Sequence, residues 1–93
     1  METKLHGKDE LMLQLVNRVK EELVDVETYN DLYETFMAQG MYEEAVEIEH
    51  IARDEFSHAE ILCDILEENG HLPSTDADIK RLWQRAKEIF HVK

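Results

Sequence analysis

The sequence predicts an all-α protein: a long antiparallel helical hairpin followed by a short C-terminal helix, completed to a four-helix bundle by homodimerisation. Three observations carry that prediction. Gly and Pro are scarce, three and one in 93 residues, and no stretch shows the strand pattern of alternating apolar and polar residues between turn signals. Apolar residues recur at spacings of three and four along two long segments. Those segments meet at Gln39-Gly40, where a left-handed glycine can end one helix and let the chain fold back. Residues 1–93 read as a single domain, and a hydrophobic content of 43% is enough for a modest core.

The first helix is expected over about residues 9–38. Lys8-Asp9-Glu10 gives it an acidic first turn, which suits the positive end of a helix. Its apolar stripe reads Leu11, Leu15, Val19, Val26, Tyr29, Tyr33 and Phe36, and Glu22 stands in that stripe where an apolar residue is due. The second helix is expected over about 42–68, closed by Asn69-Gly70. Its stripe is Met41, Ala45, Ile48, Ala52, Glu55, Ala59, Leu62 and Leu66, again with one glutamate among apolar residues. After the linker His71-Leu72-Pro73-Ser74, Thr75 with Asp78 has the form of a capping box opening a third helix over about 76–91. Ile79, Leu82, Trp83, Ala86 and Phe90 share one face of that helix, which suits a lid or docking role.

Charge and cysteine usage narrow the chemistry. A net charge of −12 disfavours nucleic acid and anionic membrane surfaces as partners and concentrates divalent cations near the surface. No run approaches the roughly 18 apolar residues of a membrane span, and the N-terminus has no apolar signal-peptide core, so cytoplasmic residence is expected. The one cysteine, Cys63, excludes an internal disulfide, a four-cysteine iron centre and a cysteine-rich zinc site. A metal would have to be held by carboxylate and imidazole.

Glu22, Glu55 and His58 are the candidate metal ligands and catalytic residues. Glu22 lies eighteen positions before Gly40 and His58 eighteen after it, so a fold-back at the glycine brings both to one height, with Glu55 a turn away. A carboxylate facing a Glu-x-x-His is half of a carboxylate-bridged di-iron site. A buried, unpaired carboxylate costs several kcal/mol, so both glutamates need a neutralising partner: a cation such as Arg18, a shared proton, or a metal. Arg18 is one turn before Glu22 and roughly 40° from it, within reach of a salt bridge, whereas Arg53 is roughly 160° from Glu55. The metal alone also employs His58. A second Glu-x-x-His, Glu47 to His50, points His50 roughly 170° from the stripe, into solvent. His6, His71 and His91 lie near the ends or in the linker. Asp25, roughly 60° from Glu22, reads as an ordinary exposed acid, or else as a carboxylate behind the ligands or on the path into the site, and Tyr29 reads as core filling or as a hydrogen-bond partner of a ligand.

The stretch ELVDVETYNDLYETFMAQGMYEEAVEIEHIARDEFSHA, Glu22 to Ala59, resembles the first helical hairpin of the rubrerythrin branch of the ferritin-like di-iron superfamily. The matching points are Glu22, the aromatic Tyr29 seven later, the turn around Gly40 and Tyr42, and Glu55 with His58 beyond it. The chain has no second hairpin with its own glutamate and Glu-x-x-His, and in this the plan is similar to the encapsulated ferritins, which build the bundle from two copies. The resemblance implies a homodimer, extending to a ring of dimers, with two irons shared between subunits: Glu22 as a terminal ligand, Glu55 as the bridge and His58 as the imidazole. Mn, Co or Zn are expected as substitutes. The implied activity is ferroxidase, an oxidation of Fe(II) by dioxygen or peroxide that serves iron storage or detoxification. An encapsulin shell is the partner the resemblance adds, although His91-Val92-Lys93 carries no targeting tail. Two alternatives stay open, a rubrerythrin-like peroxide reductase fed by an external electron donor and a metal-free helical dimerisation module.

Overall fold

Both glycines at helix ends take the backbone that only glycine adopts freely, with φ of 76° at Gly40 and 83° at Gly70. Each closes its helix with the same pair of backbone bonds. At the first, Gly40 N–H donates to the Met37 carbonyl and Met41 N–H to that of Phe36; at the second, Gly70 N–H donates to Glu67 and His71 N–H to Leu66. This is the Schellman arrangement, which satisfies the last carbonyls and turns the chain out of the helix axis. The computed structural model describes residues 2–91, with side chains over 7–90, and these form α1 (Glu2–Ala38), α2 (Tyr42–Glu68), a 3-10 turn (Pro73–Thr75) and α3 (Ala77–His91). No strand occurs among the described residues. Val92 and Lys93 and the side chains of His6 and His91 lie outside what is described.

The sequence reading thus holds for the helical hairpin with its short C-terminal helix and for the boundaries of α2 and α3, but α1 begins near Glu2 rather than Asp9. Lys8-Asp9-Glu10 is therefore helix interior. Thirty-seven residues at 1.5 Å each make α1 about 55 Å long, against about 40 Å for α2, so the start of α1 projects about 15 Å beyond its partner. The long axis of the molecule, 58 Å, is in effect α1 itself.

Ala45, Ala52, Ala59 and Leu66 are buried at seven-residue spacing on α2, and the last two share a core cluster with Met12, Val19, Leu23 and Val26 of α1. A strict heptad keeps one narrow seam facing the partner helix, and alanine in three of its four positions lets the backbones approach closely. Two assignments of the apolar stripe move. Leu11 and Met41 are exposed, and Met12 takes the core place expected of Leu11. The helix axis of α1 is rotated from the expected stripe toward Met12, Val19 and Leu23 because that side meets both α2 and α3.

Asp76, not Thr75, caps α3. Its Oδ1 accepts the backbone N–H groups of Asp78 (2.9 Å) and Ile79 (3.1 Å), while the Thr75 hydroxyl donates to the Leu72 carbonyl inside the 3-10 turn. Lys20 of α1 reaches the same Asp76 carboxylate at 3.1 Å, which ties the start of α3 to the hairpin. Those backbone bonds, with Lys20, hold the Asp76 carboxyl below its usual range. Ile79, Leu82, Ala86 and Ile89 then bury against the hairpin core. Phe56 of α2 packs on Trp83 and Phe90, with ring centroids 5.1 and 5.3 Å apart, and the Arg53 guanidinium covers Phe90 at 5.0 Å. No helix of the described residues is long and apolar enough to cross a membrane.

Candidate metal centre

With α3 covering one flank of the seam, the other flank of the hairpin is left open, and the three candidate ligands lie along it. Glu22 projects from the middle of α1, Glu55 and His58 from the middle of α2, and one donor atom from each lies within 4.8 Å of the others. The turn symmetry about Gly40 has this consequence because both helices are unbroken between the glycine and the site, so each residue rises by the same increment on either side. His58 Nδ1 is 3.7 Å from Glu22 Oε2 and 3.7 Å from Glu55 Oε1. That is too long for a hydrogen bond. It is close to the roughly 3–3.5 Å that separates neighbouring donors on a metal held at about 2.0–2.2 Å.

Burial is graded across the group. The Glu22 side chain is 4% exposed, Glu55 19% and His58 55%, so the carboxylates sit at the base and the imidazole at the rim. Glu22 divides its two oxygens between different surroundings. Oε1 accepts from Arg18 Nη2 at 2.8 Å, and Oε2, turned to Glu55 and His58, is fully buried without a hydrogen-bond partner. A buried carboxylate oxygen left unsatisfied is costly, which marks Oε2 as a place where a cation or a proton belongs. Glu55 responds to the same crowding. Its pKa is raised to about 7, first by a hydrogen bond to Glu22 that lasts only while Glu55 is protonated, then by burial, then by the charges of Glu22 and Asp25.

Two residues that the sequence left open take definite places here. Asp25 is half-buried rather than a free surface acid, and both its hydrogen bonding and its charge act on Glu55. Its roughly 60° offset from Glu22 was the signal for this, since the offset points it across the open flank toward α2. Arg18 is the second: the salt bridge to Glu22 exists alongside the three-residue cluster, not instead of it. Of the remaining residues weighed from sequence, His50 and Glu47 are exposed and outside the cluster, and Tyr29 is half-buried. Arg53 serves Glu49 and Phe90, away from Glu55. Cys63 is buried beneath α3, and burial pushes its thiol up to about 11. It borders a cleft of about 260 Å³ with Pro73, Ile79 and Trp83 that includes none of the three ligands.

The arrangement can hold one divalent cation in part: two carboxylates and an imidazole are three donors of the hard and borderline kind that Fe, Mn, Co and Zn accept. Three donors do not fill an octahedral shell. The solvent-facing side of the group is the rim at His58. No protein family, characterised protein or solved structure matches this chain.

Proposed function

We propose that this chain is a di-iron carboxylate protein of ferritin-like plan, which pairs with a second copy across its open flank, binds two irons at the interface and oxidises Fe(II). The observation that carries the proposal is the buried, unpartnered Oε2 of Glu22 converging with Glu55 and His58 within 4.8 Å. A twofold mate would add the same three donors, giving four carboxylates and two imidazoles, the complement used by di-iron bundles. Leu15, Tyr29 and Phe36 on α1 and Ile48, Ile51 and Leu62 on α2 are only partly covered, and by helical spacing they flank the ligands on the same side. That apolar surround is what a second hairpin would bury.

Iron bound there would supply the electrons, one from each Fe(II), to dioxygen or peroxide. The chain's own groups have separate tasks. Glu22, fixed by burial in the seam, is suited to a terminal carboxylate. Glu55, with a pKa of about 7, can release its proton as a metal takes the site and accept it again when the metal leaves. His58, half in solvent, can turn Nδ1 toward the group as a neutral ligand.

Native mass spectrometry of the metal-free protein, followed by addition of Fe(II), tests the proposal together with stopped-flow oxidation. Two irons per dimer and rapid oxidation are expected. His58→Ala should abolish the rapid phase and His50→Ala should leave it near wild type. Equal loss in both variants, or a chain that binds no metal, would defeat it.

A metal-free dimerisation module is the second reading, and the 2.8 Å Arg18–Glu22 bridge favours it, since it already neutralises one glutamate. In that case chelators leave the dimer intact and Fe(II) does not add mass.

A further inference from the structure

The Arg18–Glu22 bridge has a lopsided geometry. Glu22 is 4% exposed and Arg18 is 55% exposed, so the carboxylate is fixed and the guanidinium is free to move. Arg18 also already touches a second acid: its Nη1 lies 3.4 Å from Oε1 of Glu21, an exposed side chain. The two contacts come from different nitrogens of one planar group, so turning the side chain outward exchanges a buried carboxylate for a solvated one without leaving the guanidinium unpaired. Arg18 holds only Oε1 of Glu22, and Oε2 remains unpartnered and directed at Glu55 and His58.

We infer that Arg18 is the built-in counter-cation of this site, a positioning residue that neutralises Glu22 in the metal-free protein and releases Oε1 by turning onto Glu21 when a divalent metal arrives at Oε2. The inference rests on the metal reading of Glu22, Glu55 and His58. A guanidinium and a divalent cation on opposite oxygens of one carboxylate are a few ångströms apart, and in a poorly solvated seam their repulsion is weakly screened. Arg18 therefore competes with the metal. It keeps the metal-free hairpin from carrying an uncompensated buried charge, and in doing so weakens metal affinity. A purely structural salt bridge makes the opposite prediction, because removing it loosens α1 around Glu22 and lowers metal affinity or leaves it unchanged.

The test is equilibrium titration of the metal-free protein with Co(II), followed by the metal's own absorption, and with thermal melts alongside. Arg18→Gln should bind Co(II) about tenfold more tightly than wild type, as expected when a like charge next to the site is removed, and its metal-free form should melt lower, so that Co(II) raises its melting temperature more than it raises that of wild type. Arg18→Lys, which keeps the charge, should stay within about threefold of wild type. Unchanged or weaker binding by Arg18→Gln overturns the inference. Glu21→Gln alters an exposed side chain and so preserves the fold. It should weaken Co(II) binding about threefold by removing the place to which Arg18 turns, and that weakening should shrink in the protein carrying both changes, as coupled residues require. Unchanged or tighter binding by Glu21→Gln overturns the inference independently. Glu55→Gln separates the two levels: if wild type binds Co(II) and Glu55→Gln does not, the metal reading stands whatever Arg18 does, and if wild type binds none, both fall.

Discussion

Glu55 holds its proton into the neutral range because, once protonated, it can donate a hydrogen bond to Glu22, and because burial and the charges of Glu22 and Asp25 disfavour its ionised form. Its folded pKa of about 7 lies above the ordinary 4.5, so folding favours the protonated form. The resulting stability is fully present below about pH 4.5 and is lost as pH rises through about 7. The groups facing it are Glu22 and Asp25, which strengthen the effect, Arg18, whose positive charge opposes it, and the His58 imidazole at 3.7 Å. Metal-free protein should therefore melt at a higher temperature at pH 5 than at pH 8. Glu55→Gln should flatten that difference, since an amide keeps the shape without the titration, and bound metal should remove it by stabilising the charged forms. Calorimetric melts of both proteins across that range decide the matter. Asp76 does not confuse the measurement: its lowered pKa affects stability only as pH falls below the ordinary 3.8.

At the scale of single elements, α3 depends on one residue more than on its own propensity. Asp76 accepts two N–H groups of the first turn and the Lys20 ammonium at once, so Asp76→Ala removes cap and tether together. A loss of about 1–2 kcal/mol is expected, a fall in melting temperature of roughly 5–10 °C for a domain of this size. Thr75→Ala should do much less, because its hydroxyl serves only the Leu72 carbonyl. At the hairpin turn, Gly40 has no atom within 4 Å of where a Cβ would stand. Gly40→Ala would still strain the chain through its φ of 76° alone, by roughly 1 kcal/mol. Melting curves of these three variants rank the contributions.

For the molecule as a whole, the open flank of the hairpin determines what the site can become. Ile51 lies one turn before Glu55 and is 38% exposed, so Ile51→Lys should leave the monomer folded. Placed in the proposed interface it would bury a charge in each copy, and the dimer should dissociate. Sedimentation velocity is expected to show monomer for Ile51→Lys and dimer for wild type, with iron retained per chain falling well below one. A dimer that survives Ile51→Lys would place the interface elsewhere. Leu23→Ala, by contrast, opens the core shared by α1 and α3 and should cost about 2–5 kcal/mol without changing the ligand set.

The helices, the turn at Gly40 and the meeting of Glu22, Glu55 and His58 were legible in the sequence, because an unbroken helix converts residue number into height and angle with little error over eighteen positions. Local signals did not settle which side of α1 was most deeply buried. Met12 lies inside and Leu11 outside because α3 adds a second packing surface, and the stripe of α1 taken alone cannot register a helix that arrives sixty residues later. The cap passed from Thr75 to Asp76 for a related reason: Lys20, on another helix, holds the Asp76 carboxylate. Arg18 and Asp25 show the limit most clearly. Their angles brought them near the site from sequence alone, but only packing could make Glu22 buried and Arg18 exposed, and that difference in burial decides which partner of an ion pair is able to move.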